Sequence, residues 1–274
     1  MCGFCDVENK KLKDPLNLFN DDDFERIIQG IVAGIITTDN LDYDTYRRIA
    51  RKLSDGVFEG FGKGLDDLNF GTPDYTMLFD LRENVYIFSG AKVYQQTREI
   101  ESVLKKLSGA LTKGDQVQTF AQFKKDAKNI LIKYNEDYLR AEYNSAIAQS
   151  RSASQWMQFE KDADILPMLT YHTVGDMRVR PTHAALDNIS RSVHDKFWDS
   201  YLPPNGWNCR CSVIQSDDAI KTSLQGFKQP KDVPDIFMFN SGKERIVFSP
   251  KHPYFDIAPK DRKNAKNNFD LPLP

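Results

Sequence analysis

The sequence predicts an α+β protein in which a helical N-terminal region precedes a small mixed α/β core and a C-terminal β-hairpin. Three observations carry that prediction. Apolar side chains recur every three or four residues through much of the chain up to Trp156, the period that lines one face of a helix. Short runs rich in threonine and aliphatic residues, bounded by proline and glycine, begin only after Asp164, and such runs are strand signals. The composition, 40% hydrophobic with 18 Phe and 11 Tyr among 274 residues, lets the chain bury enough surface to offset the entropy of ordering it.

In chain order, Asp21 to Asp23 offer a cap for a helix whose Phe24, Ile27, Ile28, Ile31, Val32 and Ile35 share a face. Tyr43, Tyr46, Ile49, Ala50, Leu53, Val57 and Phe58 repeat the pattern, and Gly60, Gly62 and Gly64 then predict a loosened chain or hinge. Thr72 and Pro73 start a third helix, because proline at the first helical position gives up a donor that has no intrahelical partner. That helix is expected to reach about Leu107, with Gly109 and Gly114 breaking it. Thr119 and Gln122 stand at capping-box spacing before a run from Phe120 and Phe123 through Ala127, Ile130, Leu131, Tyr134, Tyr138 and Ala141, expected to continue past Trp156. Met168 to Val174 and Cys211 to Ile214 read as strands, with a turn cluster at Pro203-Pro204-Asn205-Gly206 between them. Ile236 to Phe239 and Arg245 to Phe248, joined by Asn240-Ser241-Gly242-Lys243, read as the hairpin. The chain thus divides into a helical region at 1–114, a core at 115–215, and a hairpin with a Pro- and Lys-containing tail at 216–274.

Charge excludes some functions. Lys plus Arg number 37 against 39 Asp plus Glu, so no global positive field attracts polyanions, and nucleic-acid contact must be local and weak. Lys260, Arg262, Lys263 and Lys266 form a modest basic patch; a solvated tail is its simplest reading. No stretch approaches the roughly 18 consecutive apolar residues of a membrane span, and the N-terminus lacks the basic-then-apolar order of a secretory signal, so a cytosolic, membrane-free protein is expected. Four cysteines fall in two close pairs, Cys2 with Cys5 and Cys209 with Cys211; in a reducing compartment such pairs are metal ligands or free thiols more often than disulfides.

The residues richest in chemistry lie between Asp176 and Cys211. Asp176-Met177-Arg178-Val179-Arg180-Pro181-Thr182-His183 is followed by Phe197-Trp198 and then by Pro203-Pro204-Asn205-Gly206-Trp207-Asn208-Cys209-Arg210-Cys211. This segment resembles the phage Mu protein F-like family of head-morphogenesis, or minor capsid, proteins. Upstream, Glu142-Tyr143-Asn144-Ser145-Ala146 and Trp156 resemble the helical run before that family's core. The likeness covers about residues 115–215 and is specific in its last forty; Asp187-Asn188 departs from it, standing where a leucine or aspartate followed by glycine is expected. The resemblance implies a phage or prophage head protein, made in the bacterial cytoplasm, acting around the portal or inner capsid and carried in the virion. It implies no catalysis.

The residues themselves leave three chemistries open. Cys209, Cys211 and His183 are of the type that binds zinc, with His172, His194 or Asp176 available as a fourth ligand, although Cys-x-Cys is tighter than the spacing of ordinary zinc ribbons. Cys2 and Cys5 would complete a four-thiolate site if the N-terminus folded back, against the plainer reading of a free thiol pair. Alternatively the cluster is a structural brace. Asp176 would then take the guanidinium of Arg178 or Arg180, which share a face if they lie on a strand. His183 would donate to a carbonyl, and Trp198 and Trp207 would be core aromatics. The third option is an enzyme, a nuclease or transferase or toxin-like module, in which Cys209, its thiol pKa lowered by Arg210, acts with His183 as base beside Asp176 and Arg180. No phosphate-cradling glycine loop, zincin helix or serine nucleophile elbow accompanies it. His252, in Lys251-His252-Pro253-Tyr254, reads as a surface loop residue.

Overall fold

The computed structural model describes residues 18–106, 119–218, 221–223 and 233–262. Cys2, Cys5, Gly109, Gly114, Lys263, Lys266 and the terminal prolines lie outside these. The architecture is α+β: long helices, then a three-stranded antiparallel sheet with short helices around it.

Helix α1 spans Asp21–Val32, with Phe24, Ile27, Ile28 and Ile31 buried. Its cap is Asn20 rather than the aspartate run. Asn20 Oδ1 accepts the Asp23 N–H at 2.9 Å, and the Asp23 carboxylate accepts the Asn20 N–H at 3.1 Å, satisfying two donors that a helix start leaves open. Ile35 lies past the helix end and is exposed. Helix α2, Tyr43–Phe61, is capped by Asp42 and ends at Gly62 in the left-handed region, φ 83°. Gly60 does not loosen the chain. It lies within α2, and a Cβ there would stand 2.1 Å from the Ile147 carbonyl oxygen, so its bareness lets two backbones touch.

Helix α3 runs Pro73–Lys105 from a Thr72 cap, as its start signals predict. Helix α4, Phe120–Ile132, is capped by Thr119, but Gln122 does not return the favour; its amide donates to Asp126 Oδ1 at 2.8 Å. The expected continuation past Trp156 is present. A wide π turn at Lys133–Tyr138 passes α4 into α5, Leu139–Lys161. These helices enclose one apolar core, including Ile27, Leu53, Leu81, Phe88, Leu131 and Ala146, which Val247, Phe248, Tyr254 and Ile257 complete from the C-terminal segment.

Strand β1, Met168–His172, lies between β2, Ser190–Ser192, and β3, Ser212–Ser216. Leu169 pairs with Arg191 on one side and Gln215 on the other. The two-residue alternation of a strand sends Leu169 and Tyr171 to the same face, and both are fully buried. They join Trp156, Leu186, Val193 and Trp198 in a second core. Two one-turn helices flank the sheet, α6 at Pro181–Ala184 and α7 at Trp198–Tyr201.

The hairpin placed at Ile236–Phe239 and Arg245–Phe248 is not formed. Asp235–Phe237 is a 3₁₀ turn, and Ser241–Glu244 is a short helix, α8. The Asn240 side chain accepts the N–H groups of Gly242 and Lys243 at 2.9 and 3.0 Å, so the polar tetrapeptide expected to turn a hairpin starts a helix. Gly242 lies flat on Trp156, where a Cβ would come within 2.4 Å of the Trp156 Cβ. His252 is also not a surface residue, being 8% exposed.

Because the α2–α5 approach depends on a missing methyl, Gly60→Ala must force the helices apart. Overpacking of this kind costs about 1–3 kcal/mol. Denaturant unfolding of the variant is expected to show that loss; an unchanged midpoint would mean the helices have slack.

Candidate functional site

Three segments converge above the end of β1: the loop from Thr173 into α6, the turn Pro203–Gly206, and the run Trp207–Cys211 leading into β3. Their convergence is set by α5. Ser152 Oγ donates to the Pro203 carbonyl at 2.6 Å, the Gln149 amide reaches the Pro204 carbonyl at 3.5 Å, and the Asn144 amide donates to Asn208 Oδ1 at 3.1 Å. The Pro203–Pro204 peptide is cis. Asn205, wholly buried, donates its amide to the carbonyls of Leu202 and Ser200 and accepts the Tyr171 hydroxyl at 3.0 Å.

His183 stands on α6, whose first residue, Pro181, follows Arg180. The residue is 3% exposed. Nε2 lies 3.3 Å from the Asn205 carbonyl; a carbonyl only accepts, so Nε2 carries the proton and Nδ1 presents a lone pair. Nδ1 faces two sulfurs, Cys209 Sγ at 3.6 Å and Cys211 Sγ at 3.4 Å. The three ligand atoms lie within 4.8 Å of one another, the one such group of His, Cys, Asp or Glu among the described residues. His172, His194 and Asp176 do not join them. His172 follows Tyr171 on β1 and so projects to the opposite face.

The thiols divide their protons unequally. The hydrogen bond from Cys211 draws the Cys209 thiol down to about 4, against the opposing effect of burial. Cys211, the donor, is pushed far up by that same bond and by burial. Burial, reinforced by the neighbouring sulfurs, also holds the Tyr171 hydroxyl protonated.

Around this trio the polar groups are paired differently from expectation. Asp176 takes neither Arg178 nor Arg180 as its main partner but receives both arms of Arg210 at 2.7 Å. Arg178 contributes its backbone N–H at 3.0 Å and a longer approach of its guanidinium at 3.6 Å. Arg180 donates instead to the Trp207 carbonyl at 2.7 Å. The segment that holds both arginines is a loop, so no strand aligns them. Trp198 is a core aromatic, fully buried, with its indole N–H on the Ser192 carbonyl. Trp207 is half-buried and meets Phe237 and His252 edge-on. A cavity of about 20 Å³ opens beside the trio, lined by Val174, Arg178, Val179, Arg180, His183, Asn208, Arg210 and Cys211.

Tyr171, Gln149, Ser152 and Asn205 carry as much of this geometry as the residues singled out from the sequence. Gln149 and Ser152 offer a weak signal, polar side chains three apart on a buried helix face that also carries Glu142 and Ser145 among its apolar residues. At Asn188, φ 59°, asparagine occupies the left-handed conformation in which glycine is expected, so the departure at Asp187-Asn188 keeps the turn. Asp187 then accepts the Thr173 N–H at 2.7 Å.

Comparison with known proteins agrees with the resemblance. Residues 101–214, from the last turns of α3 into β3, match the family described as Phage Mu protein F like protein. This part of the chain is similar to the phage Mu F-like family. Over 71 residues it is 42% identical to the putative capsid assembly protein F of Escherichia phage Mu, covering 26% of this chain and 16% of that protein. Over 61 residues it is 36% identical to the Mu-like prophage FluMu F protein of Haemophilus influenzae, covering 22% of this chain and 15% of that one. The aligned stretches thus amount to less than a fifth of either relative. No solved structure matches.

Arg210 lowers the Asp176 carboxyl from its ordinary 3.8 to about 2. A carboxylate with a depressed value stabilises the fold fully above about pH 4 and ceases to do so as pH falls through about 2. Carbon NMR titration is expected to place the Asp176 midpoint near 2 in the wild type and close to its ordinary value in Arg210→Gln; an ordinary midpoint in the wild type would show the pair open in solution.

Proposed function

We propose that this protein acts in phage head assembly as a minor head protein of a phage or integrated prophage. The observation that carries this reading is the 42% identity over 71 residues to a protein named for capsid assembly. On this reading it is made in the host cytoplasm, joins the portal or inner capsid through protein contacts, and travels in the virion. Contact with DNA is secondary: the formal charge is −2, and Lys260 and Arg262 are the patch cations among the described residues.

The rival reading, a nuclease, transferase or toxin-like enzyme built on Asp176, Arg180, His183 and Cys209, has one observation in its favour, the low thiol pKa of Cys209 beside an imidazole. Other features favour a brace. Asp176 and Arg180 are committed to Arg210 and the Trp207 carbonyl, and the adjoining cavity has room for about one water. Among the described residues no helix is long and apolar enough to cross a membrane.

Expressed with the portal and capsid genes of its own phage, the tagged chain is expected to co-purify with the portal ring, and deleting its gene should leave lysates without filled heads. Normal infectious heads from the deletion would end the reading, and a correctly folded His183→Ala variant that lost turnover of a nucleotide or nucleic acid would replace it with the enzyme. In filter binding, affinity for DNA should be weak and should largely vanish between about 50 and 200 mM salt as counterion release loses its value; tight, salt-insensitive binding would contradict the secondary role assigned to DNA.

A further inference from the structure

The His183, Cys209 and Cys211 trio has the geometry of a metal site. Zinc holds thiolate sulfur at about 2.3 Å and imidazole nitrogen at about 2.0–2.1 Å in a tetrahedron. Those bond lengths fix the tetrahedron's nitrogen-to-sulfur edge at about 3.5 Å. The two edges here are 3.6 and 3.4 Å.

The surroundings fit as well. A metal-ligating histidine characteristically donates its other ring N–H to a carbonyl or carboxylate, which fixes its tautomer; here Nε2 meets the Asn205 carbonyl. Ligand softness selects the ion: two thiolates and an imidazole suit zinc, whereas calcium and magnesium require oxygen. A small cavity lined by His183 and Cys211 adjoins the trio, with room for about one water as a fourth ligand.

We propose that His183 Nδ1, Cys209 Sγ and Cys211 Sγ bind one zinc ion, with water as the fourth ligand, and that the ion ties α6 to the strand-entry loop. The site is independent of the head-assembly reading and stands or falls separately from it.

The test uses the full chain, purified with reduced thiols, loaded with zinc or with cobalt and desalted. One equivalent of zinc per chain is expected by elemental analysis. The cobalt form should show thiolate-to-metal charge transfer with tetrahedral d–d bands, and chelation should lower the melting temperature. Cys209→Ser, Cys211→Ser and His183→Ala should each weaken retention at least tenfold, with circular dichroism reporting whether they fold. Should they not fold, the cobalt spectrum of the wild type decides by itself. Cys2→Ser with Cys5→Ser should retain the full equivalent. No retained metal in the reduced wild-type chain, a cobalt spectrum without thiolate character, or loss of metal in the Cys2/Cys5 double variant would overturn the site.

Discussion

The ion pair between Lys92 of α3 and Glu142 of α5 is buried, its side chains 0% and 2% exposed. Removing two charges from water costs several kcal/mol per ion, and only close pairing with the remaining lone pairs satisfied offsets it. The second oxygen of Glu142 accepts the Tyr254 hydroxyl at 2.9 Å, so the C-terminal segment completes the site the helices open. Burial lowers the Lys92 ammonium, and the attraction of Glu142 opposes it. His252, next to Tyr254, is held near 4 by burial and by Lys92, so it remains neutral at pH 7 and adds no second cation. The same histidine meets Phe88 of α3 on one side and Trp207 on the other. A charge pair deep among the helices is thereby linked, through two aromatic contacts, to the loop that carries the cysteines.

Helix α5 is the member both cores share. Its Ala146 and Ala153 face the helical core, while Trp156 and Phe159 face the sheet. Between them, Gln149 and Ser152 supply the donors that two consecutive proline carbonyls need once buried, since a buried acceptor without a partner costs about as much as a lost hydrogen bond. Two prolines contribute no N–H of their own, so the turn is satisfied from outside or not at all. Its position is consequently decided by a helix some fifty residues earlier in the chain, and α2 fixes that helix in turn through the bare Cα of Gly60.

Helices were legible because their signals are local. Thr72-Pro73 and the 3.6-residue stripes of α1, α2 and α4 require nothing beyond neighbouring residues. The misreadings arose where a distant contact outweighs local preference. Gly60 resembles a breaker until Ile147 is placed against it. The hairpin at Ile236–Phe248 has two short apolar runs about a polar tetrapeptide, yet Phe237, Phe239 and Val247 find burial without pairing, and Asn240 spends its side chain starting a helix. Strand β2 was unreadable because Ser190-Arg191-Ser192 has no apolar member; it forms because the Leu169 backbone requires a partner on that side and because Arg191 is held by Asp195 and the Thr222 carbonyl.

The site shows the same division. Residue types at short spacing picked out His183, Cys209 and Cys211, and the fold does gather them, although the separation in sequence between histidine and cysteines gives no distance. Which guanidinium meets Asp176 was beyond such reading, because on a loop the spacing of Arg178 and Arg180 has no geometric meaning, whereas Arg210 arrives from the facing strand-entry run. Its position between the two cysteines has a consequence. The Asp176–Arg210 pair and the His183 contacts with Cys209 and Cys211 therefore join the same two runs of chain, one at the surface and one within. The cluster ties the loop into α6 to the run that leads into β3, through the Asp176–Arg210 pair on the outside and the His183–cysteine contacts within.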